Sequence, residues 1–503
     1  MTDLGTQADW ARIQQDYPID VRPFIDGTLE DSRSDQIVEK ISPADGKPLF
    51  KFAAGSRADV DAAVASARRV FEAGTWAHVP LMHRKAILSR LAELIERDAQ
   101  TLAMLETIDV GKPIRDAVTA DIPLAIMVLR GAIEAAESLT GATYPSDGAS
   151  LVMSLRLPRG VVSAIIGWNF PLVLAMQKIA PALITGNSIV LKPSELTSLS
   201  ALHLARLAIE AGIPEGVFNV IPGLGATVGD AIAHHMDIDM LSFTGSTATG
   251  KKLLQASGAS NMKRLLLECG GKSPNIVFAD APDLQQVAQG VFMRMFWNQG
   301  QVCTAGTRLI VHNSVREELV GMLEGATGML QAGHPLSPET TLGPLISAPQ
   351  RDKVMGYITE GQSAGASLRC GGGALLAESG GYYVQPTIFT DVDPDHRIAR
   401  EEIFGPVLSV MGFDTEDEAI ALANRTTYGL SAIAWTQSAK TAHRIMRDLN
   451  AGGVSINATG TPGMSVAFGS VPLEPHRQSG FGVEGGMEGL ASYTILKTIM
   501  MSL

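Results

Sequence analysis

The sequence predicts an α/β protein built on an open, mostly parallel sheet, and three observations predict it. Short apolar runs alternate with stretches of helical spacing over about a hundred residues. Glycines cluster just after the apolar runs, and the alternation starts afresh near residue 275. In chain order, residues 161–166 read as a buried strand and 188–191 as another. A helix over 199–211 follows and stops at Gly212, a C-cap glycine. Residues 217–221 form a third strand running into Gly223, Gly225 and Gly229. Residues 240–243 form a fourth, followed by Thr244-Gly245-Ser246 and a helix over 247–256. Ligands of such sheets bind beyond the carboxyl ends of the strands, where these glycines fall. The second unit begins with a strand at 275–278, a helix from Leu284 and a strand at 308–312. Alternation in 150–157 and the apolar tail 495–501 suit strands that seek an edge partner.

The chain has 503 residues, so about two or three domains are expected. A formal charge of -12 argues against a nucleic acid as partner, because phosphate binding needs clustered Lys and Arg. The cysteines are Cys269, Cys303 and Cys370, an odd and sparse set that indicates reduced thiols and a cytoplasmic location. The first twenty residues lack the apolar stretch of a secretory signal and read as an exposed arm. Arg159 and Lys178 enclose an uncharged stretch close to membrane-spanning length. Gly167-Trp168-Asn169-Phe170-Pro171 interrupts it, so a strand, a loop and a buried helix fit better than a membrane span.

Several side chains could carry chemistry. Cys303 reads as a thiol at the end of a helix and beside small residues, where a substrate could reach it; a lone cysteine is more often a small buried hydrophobe. Glu268 lies between the apolar run 265–267 and Gly270-Gly271. Burial there would raise its pKa and suit it to general-base work, while pairing with Lys272 is the plainer alternative. Asn169, fixed between two aromatics and a proline, could donate to an oxyanion or merely satisfy a turn. Lys192 and Glu195 close a strand and could hold the hydroxyls of an adenosine ribose, where a carboxylate would repel a 2′-phosphate; a surface ion pair is the alternative. Gly223-x-Gly225-x-x-x-Gly229 departs from the usual dinucleotide fingerprint and is weak evidence alone.

In order and at these spacings, the segments resemble the NAD(P)-dependent aldehyde dehydrogenase superfamily. The resemblance is carried by Trp168-Asn169-Phe170-Pro171, Lys192-Pro193-Ser194-Glu195, Phe243-Thr244-Gly245-Ser246, Glu268-Cys269-Gly270-Gly271-Lys272, Gly300-Gln301-Val302-Cys303 and Glu401-Glu402-Ile403-Phe404-Gly405-Pro406-Val407. It implies a Rossmann-type cofactor domain (1–131 and 155–265), an α/β catalytic domain (266–478), and a small β oligomerisation arm with its tail (132–154 and 479–503). It implies a homodimer or homotetramer, a small-molecule aldehyde as substrate, NAD as cofactor and no metal. Cys303 matches the nucleophile, Glu268 the base for the hydrolytic water, and Asn169 with the Cys303 N–H the oxyanion hole. Lys178 and Glu484 match a proton-exit route. Ile166, Trp168, Lys192, Ser194, Glu195, Gly225, Gly229, Phe243, Gly245 and Ser246 fall on the cofactor site, as do Gln350, Lys353, Glu402 and Phe404. Leu124, Phe170, Leu174, Gln177, Trp297, Val302 and Thr304 match the substrate channel.

The chain departs from the family pattern in places. Gly167 stands where proline is usual and Cys269 where leucine is. Gln177 replaces a frequent tryptophan, and the helix after Asn169 carries no arginine of the kind that receives a carboxylated semialdehyde. The channel therefore predicts a neutral, mainly apolar aliphatic or aromatic aldehyde. Between Phe468-Gly469 and Ser479-Gly480 the chain carries extra residues within 470–478, expected to alter the substrate entrance or a subunit contact. Three alternatives remain open at this point. Glu268 counts against a coenzyme A-acylating enzyme, Glu195 against an NADP-preferring semialdehyde enzyme, and the retained Cys303, Glu268, Asn169 and Lys192 against a silent binding relative.

Overall fold

Residues 4–458 and 470–502 are described by the structure, a computed structural model. Two large sheets organise them. The first has eight strands in the order Thr28–Leu29, Phe24–Ile25, Phe218–Val220, Ser188–Lys192, Val161–Ile165, Met240–Thr244, Arg264–Glu268 and Gly480–Phe481. Its centre is parallel, with Val162 opposite both Ile189 and Met240. The two outer strands at one side and Gly480–Phe481 at the other run antiparallel. Strands 161–165 and 188–192 are buried along their whole length, which is why they read as mainly apolar runs and not as alternation.

The second sheet has seven strands, ordered Ser367–Cys370, Thr387–Thr390, Val407–Phe413, Arg308–His312, Pro274–Val277, Ser431–Trp435 and Gly453–Ile456. It too is parallel except at Ser367–Cys370. A third, three-stranded sheet pairs the tail strand Thr494–Ser502 with Ser150–Pro158 along nine residues, with Ala142–Tyr144 beyond it. The boundaries expected at 154/155 and 265/266 fall inside the strands Ser150–Pro158 and Arg264–Glu268, so each unit hands its chain to the next without a break in pairing.

The helix Leu199–Ala211 ends at Gly212 with φ 101°, the left-handed cap that its sequence predicts. The helix Thr247–Ala259 runs three residues past its expected end. The uncharged stretch after Arg159 divides into the strand Val161–Ile165, a loop and the helix Pro171–Ile184. No helix among the described residues is long and apolar enough to cross a membrane. One expectation is corrected at the N-terminus. The supposed arm is a helix, Gln7–Asp16, closed by a capping box between Thr6 and Asp9. Trp10 is its anchor: it is buried in the main core and its indole N–H donates to the Leu4 carbonyl at 2.7 Å.

Four parallel strands of the first sheet end on the same side, so the loops after residues 165, 192, 244 and 268 open beside one another. That edge is where the candidate residues gather.

Candidate active site

Glu268 is the last residue of Arg264–Glu268 and is buried, with its Oε1 unpaired. It does not pair with Lys272, whose buried Nζ also lacks a hydrogen-bond partner among the described residues. Desolvation pushes the Glu268 carboxyl well above its ordinary range; the neighbouring Glu484 carboxylate pushes the same way and Lys178 opposes. Lys178 and Glu484 form a buried ion pair beside it. The three residues that sequence reasoning assigned to a base and its proton route are thus in mutual electrostatic reach.

The glycines that follow Glu268 are required by close approach. A Cβ at Gly270 would collide with the Glu402 carboxylate, and one at Gly271 would stand 2.5 Å from the Cys303 carbonyl oxygen. Neither glycine has a positive φ, so conformational freedom is not the reason for them. The packing brings the Cys303 turn against the strand end that carries Glu268. The Gly271 N–H donates to Glu402 Oε1 at 3.0 Å, which turns that side chain inward.

Cys303 does not sit at a helix end. The helix Leu284–Phe296 stops, and Asn298 and Gln299 take left-handed φ of 48° and 56° before the turn that holds Cys303. The break swings the thiol back over the sheet. Burial pushes the Cys303 thiol up to about 12, helped by the negative charge of Glu402 and Glu268 and opposed by hydrogen bonds from the Thr304 and Cys303 amides. Asn169 is buried, and its Nδ2 donates to the Gln301 carbonyl at 2.9 Å. Asn298 Nδ2 donates to the Asn169 carbonyl at 3.2 Å. The amide is therefore tied into the Cys303 loop, and its second N–H is free to point elsewhere. Sequence reasoning missed Asn298 and Gln301; an amide-rich run immediately before a candidate nucleophile was the available signal.

Along the same edge, Lys192 and Glu195 stand 3.6 Å apart, with Lys192 Nζ also donating to the Pro193 carbonyl at 2.8 Å. Ser194 Oγ accepts from the Leu196 amide, and the Ile166 amide donates to the Lys192 carbonyl. A Cβ at Gly225 would meet open space, and one at Gly229 would lie 3.8 Å from the Lys192 side chain. Ser246 caps the helix Thr247–Ala259, accepting from the Thr249 amide, so that helix presents its N-terminal amides toward the edge. Gly245 donates to the Glu268 carbonyl and leaves room for the Phe243 ring. A paired lysine and carboxylate, an open glycine shelf and a helix N-terminus along one edge fit a dinucleotide. Trp168 meets Phe404 edge-on at 5.2 Å, and Phe404 holds a positive φ of 60°. Gln350 donates to the Ile403 and Phe404 carbonyls and so fixes that turn, while Lys353 lies close enough to Glu402 to lower its carboxyl against the rise caused by burial.

Of the channel residues, Phe170 and Trp297 stack at 4.9 Å, and Leu124, Leu174 and Val302 pack in the same apolar cluster. Gln177 and Thr304 are half-buried and make no side-chain hydrogen bond among the described residues. In the extra stretch, Phe468 and Gly469 lie outside the described residues. Within 470–478, His476–Arg477 pairs with Tyr428–Gly429, and Leu473 pairs with Glu484. Just beyond it, Ser479 Oγ donates to the Gly270 carbonyl at 2.8 Å, so the stretch leads directly into a contact with the chain that follows Glu268.

A buried strand-end carboxylate, a looped-back thiol, an amide tied to the thiol's loop and a groove that fits a dinucleotide match an oxidoreductase of the thiol-dependent aldehyde class. The aldehyde dehydrogenase family model matches residues 29–499, and the chain belongs to that family. It is 46% identical over 496 residues to the NADP/NAD-dependent aldehyde dehydrogenase PuuC of Escherichia coli, covering 99% of this chain and 98% of that one. It is 44% identical to an aminoacetaldehyde dehydrogenase of Pseudomonas aeruginosa, covering 99% of each. Among solved structures, an indole-3-acetaldehyde dehydrogenase of P. syringae bound to NAD superposes with a TM-score of 0.96 at 46% identity, covering 99% of this chain and 100% of that one. The enzyme is an NAD-dependent aldehyde dehydrogenase that oxidises an aldehyde to the acid.

Proposed function

We propose that oxidation runs through a thioester on Cys303, and that the substrate is a neutral, mainly apolar aldehyde. The observation that carries the mechanism is the packing of the Cys303 turn against Gly271, three residues after a buried, proton-hungry Glu268. The Cys303 sulfur, as thiolate, forms a bond to the carbonyl carbon, and the C=O electron pair moves onto oxygen. The Asn169 Nδ2 and the Cys303 amide donate to that oxyanion. When the oxyanion re-forms its double bond, the C–H bond breaks with its electron pair and leaves an acyl group on sulfur. NAD, when bound, supplies the acceptor for that hydride. Lys192, Glu195, Gly225 and the amides behind Ser246 hold its adenosine and pyrophosphate end; Glu402 and Phe404 border its other end. Glu268 then takes a proton from water, hydroxide adds to the thioester, and the C–S bond breaks to release the acid and restore the thiolate. The proton then leaves Glu268 for the Glu484 carboxylate, which the Lys178 ammonium holds in place.

The substrate reading rests on the apolar wall of Leu124, Phe170, Leu174, Trp297 and Val302. The relative named for indole-3-acetaldehyde suits such a wall, and the one named for aminoacetaldehyde represents the competing class. Glu195 favours NAD over NADP. For assembly we infer a homodimer or homotetramer through the arm, because the tail strand leaves Leu496, Met500 and Met501 exposed. The reduced thiols suit the cytoplasm.

The deciding experiment follows absorbance at 340 nm with NAD against neutral, carboxylated and cationic aldehydes, for the parent and for Cys303→Ala. Turnover of the neutral aldehydes that vanishes in the variant is the expected result. A preference for charged aldehydes overturns the substrate reading, and turnover surviving in Cys303→Ala overturns the mechanism.

A further inference from the structure

The helix Ala99–Val110 is buried from Leu102 onward, including two carboxylates, Glu106 and Asp109. The mechanism above uses neither. The chain then passes through Gly111, Lys112 and Pro113 and enters a widened turn, Ala117–Asp121. Glu106, Lys112 and Asp121 are all at most 1% exposed. Lys112 is ion-paired to Asp121, and its Nζ is 3.9 Å from Glu106 Oε2. Asp116, its carboxyl pushed up to about 7 by burial and then by Asp121, is a further acid of this cluster. Asp109 faces away, toward Lys40 and the Leu199 amide.

The cluster reaches the active site at two points on either side of Pro171. Glu106 Oε1 accepts from the Leu172 amide at 3.1 Å, in the first turn of the helix Pro171–Ile184. The Lys112 ammonium stands 4.2 Å from the centroid of the Phe170 ring. Asn169 immediately precedes these residues, and its opposite side is held by Asn298 and Gln301. Phe170 also stacks on Trp297, so one ring is gripped from behind by a cation and from the front by the channel wall.

Stability is a poor explanation for such a cluster. Charges taken from water are costly to bury, and apolar replacements of similar volume commonly fold as well or better. A group of charges does offer direction: a fixed acceptor for one amide and a fixed cation over one ring. We propose that Glu106, Lys112 and Asp121 are positioning residues for aldehyde oxidation, acting through the Leu172 amide and the Phe170 ring to hold the Asn169 amide at the developing oxyanion. The proposal rests on the reading of Asn169 as the oxyanion donor.

A double-mutant cycle tests it. Lys112→Met keeps length and removes charge; it is made in the parent and in Asn169→Ala, and kcat, aldehyde KM and the NAD dissociation constant are measured for each. In the parent, Lys112→Met lowers kcat on the order of 10-fold, as small misplacements of a reacting geometry do. NAD affinity stays unchanged. In the Asn169→Ala background the same substitution costs less than about 2-fold, because the group it positions is gone. Glu106→Leu follows Lys112→Met, whereas Glu106→Gln, which keeps an acceptor for Leu172, retains most of the parent rate. If Lys112→Met fails to fold, the Glu106→Leu and Glu106→Gln pair carries the same cycle. Equal losses in both backgrounds, or no loss of kcat in the folded variants, overturn the positioning role. A silent Asn169→Ala overturns the oxyanion reading beneath it and the proposal with it.

Discussion

Two strand ends of one parallel sheet, three strands apart in chain order but opening on one edge, treat their charges in opposite ways. At the end of Ser188–Lys192, Lys192 is satisfied: it faces Glu195 at 3.6 Å and donates to the Pro193 carbonyl. At the end of Arg264–Glu268, Glu268 and Lys272 are four residues apart and do not pair, and each keeps a buried polar atom without a hydrogen-bond partner among the described residues. A satisfied pair fixes a shape, as a site for holding a ligand requires. An unsatisfied carboxylate stores affinity for a proton, as a site for chemistry requires. On the proposed roles, the difference separates binding from reaction along a single sheet edge.

Substitutions on the reactive side should have the largest effects. Cys303→Ala removes the attacking atom, and NAD-dependent turnover should fall by on the order of 10⁴-fold or more while NAD binding by titration persists. Glu268→Gln should leave thioester formation and lose its hydrolysis. Rapid mixing is expected to show one NADH per active site, followed by a steady rate reduced about 10²–10⁴-fold. A full steady rate without a burst would assign the water to another base.

The same substitution should sharpen the comparison through stability. The Glu268 carboxyl is raised above its ordinary 4.5, so folded protein retains a proton that the unfolded chain has released. Its contribution is fully present below pH 4.5 and is lost as pH rises through the folded value. Glu268→Gln, neutral at every pH, should therefore melt higher than the parent at pH 9 and show no such gain at pH 4. No pH-dependent difference in melting would place Glu268 in contact with water and erase the contrast between the two ends.

On the quiet side the effects should be confined to the cofactor. Lys192→Met should raise the KM for NAD by about 10-fold or more with a smaller change in kcat, in keeping with a lost charge-assisted hydrogen bond. The smallest effect is expected for Glu195→Gln, which should raise NADP use relative to NAD by a few-fold, about the scale of one partly exposed charge. An NADP ratio unchanged in that variant would detach Glu195 from cofactor choice.

Much of this edge was legible beforehand, for local reasons. The helix Leu199–Ala211 carries its own stop at Gly212, and the strand Arg308–His312 is an apolar Leu-Ile-Val run between two polar ends, so both match the structure residue for residue. The site residues that the sequence offered stand at strand ends or turns, where chain direction alone brings them together. The break after Phe296 was not legible. Apolar spacing carries on through Trp297, and the left-handed turn at Asn298 and Gln299 is held by a contact to Asn169, 129 residues away. The buried acids fared similarly. Glu106 lies in a run that reads as ordinary helix, and its partner amide at Leu172 is 66 residues distant. Trp10 was missed although Thr6 and Asp9 stood at capping-box spacing, because the surrounding polar residues suggested an open arm.

The last two dozen residues of the chain are threaded through places that otherwise lie apart. Gly480 and Phe481 pair beside Glu268 and Leu267, Glu484 grips Lys178, and ten residues later the chain enters the arm as Thr494–Ser502. In mechanical terms this is a short tether between an outer sheet and the residue proposed to draw the proton from water. Whatever pulls on the tail pulls on the strand end that carries Glu268. A purification tag or reporter fused to the tail strand is therefore expected to slow turnover more than one fused ahead of the capped helix Gln7–Asp16.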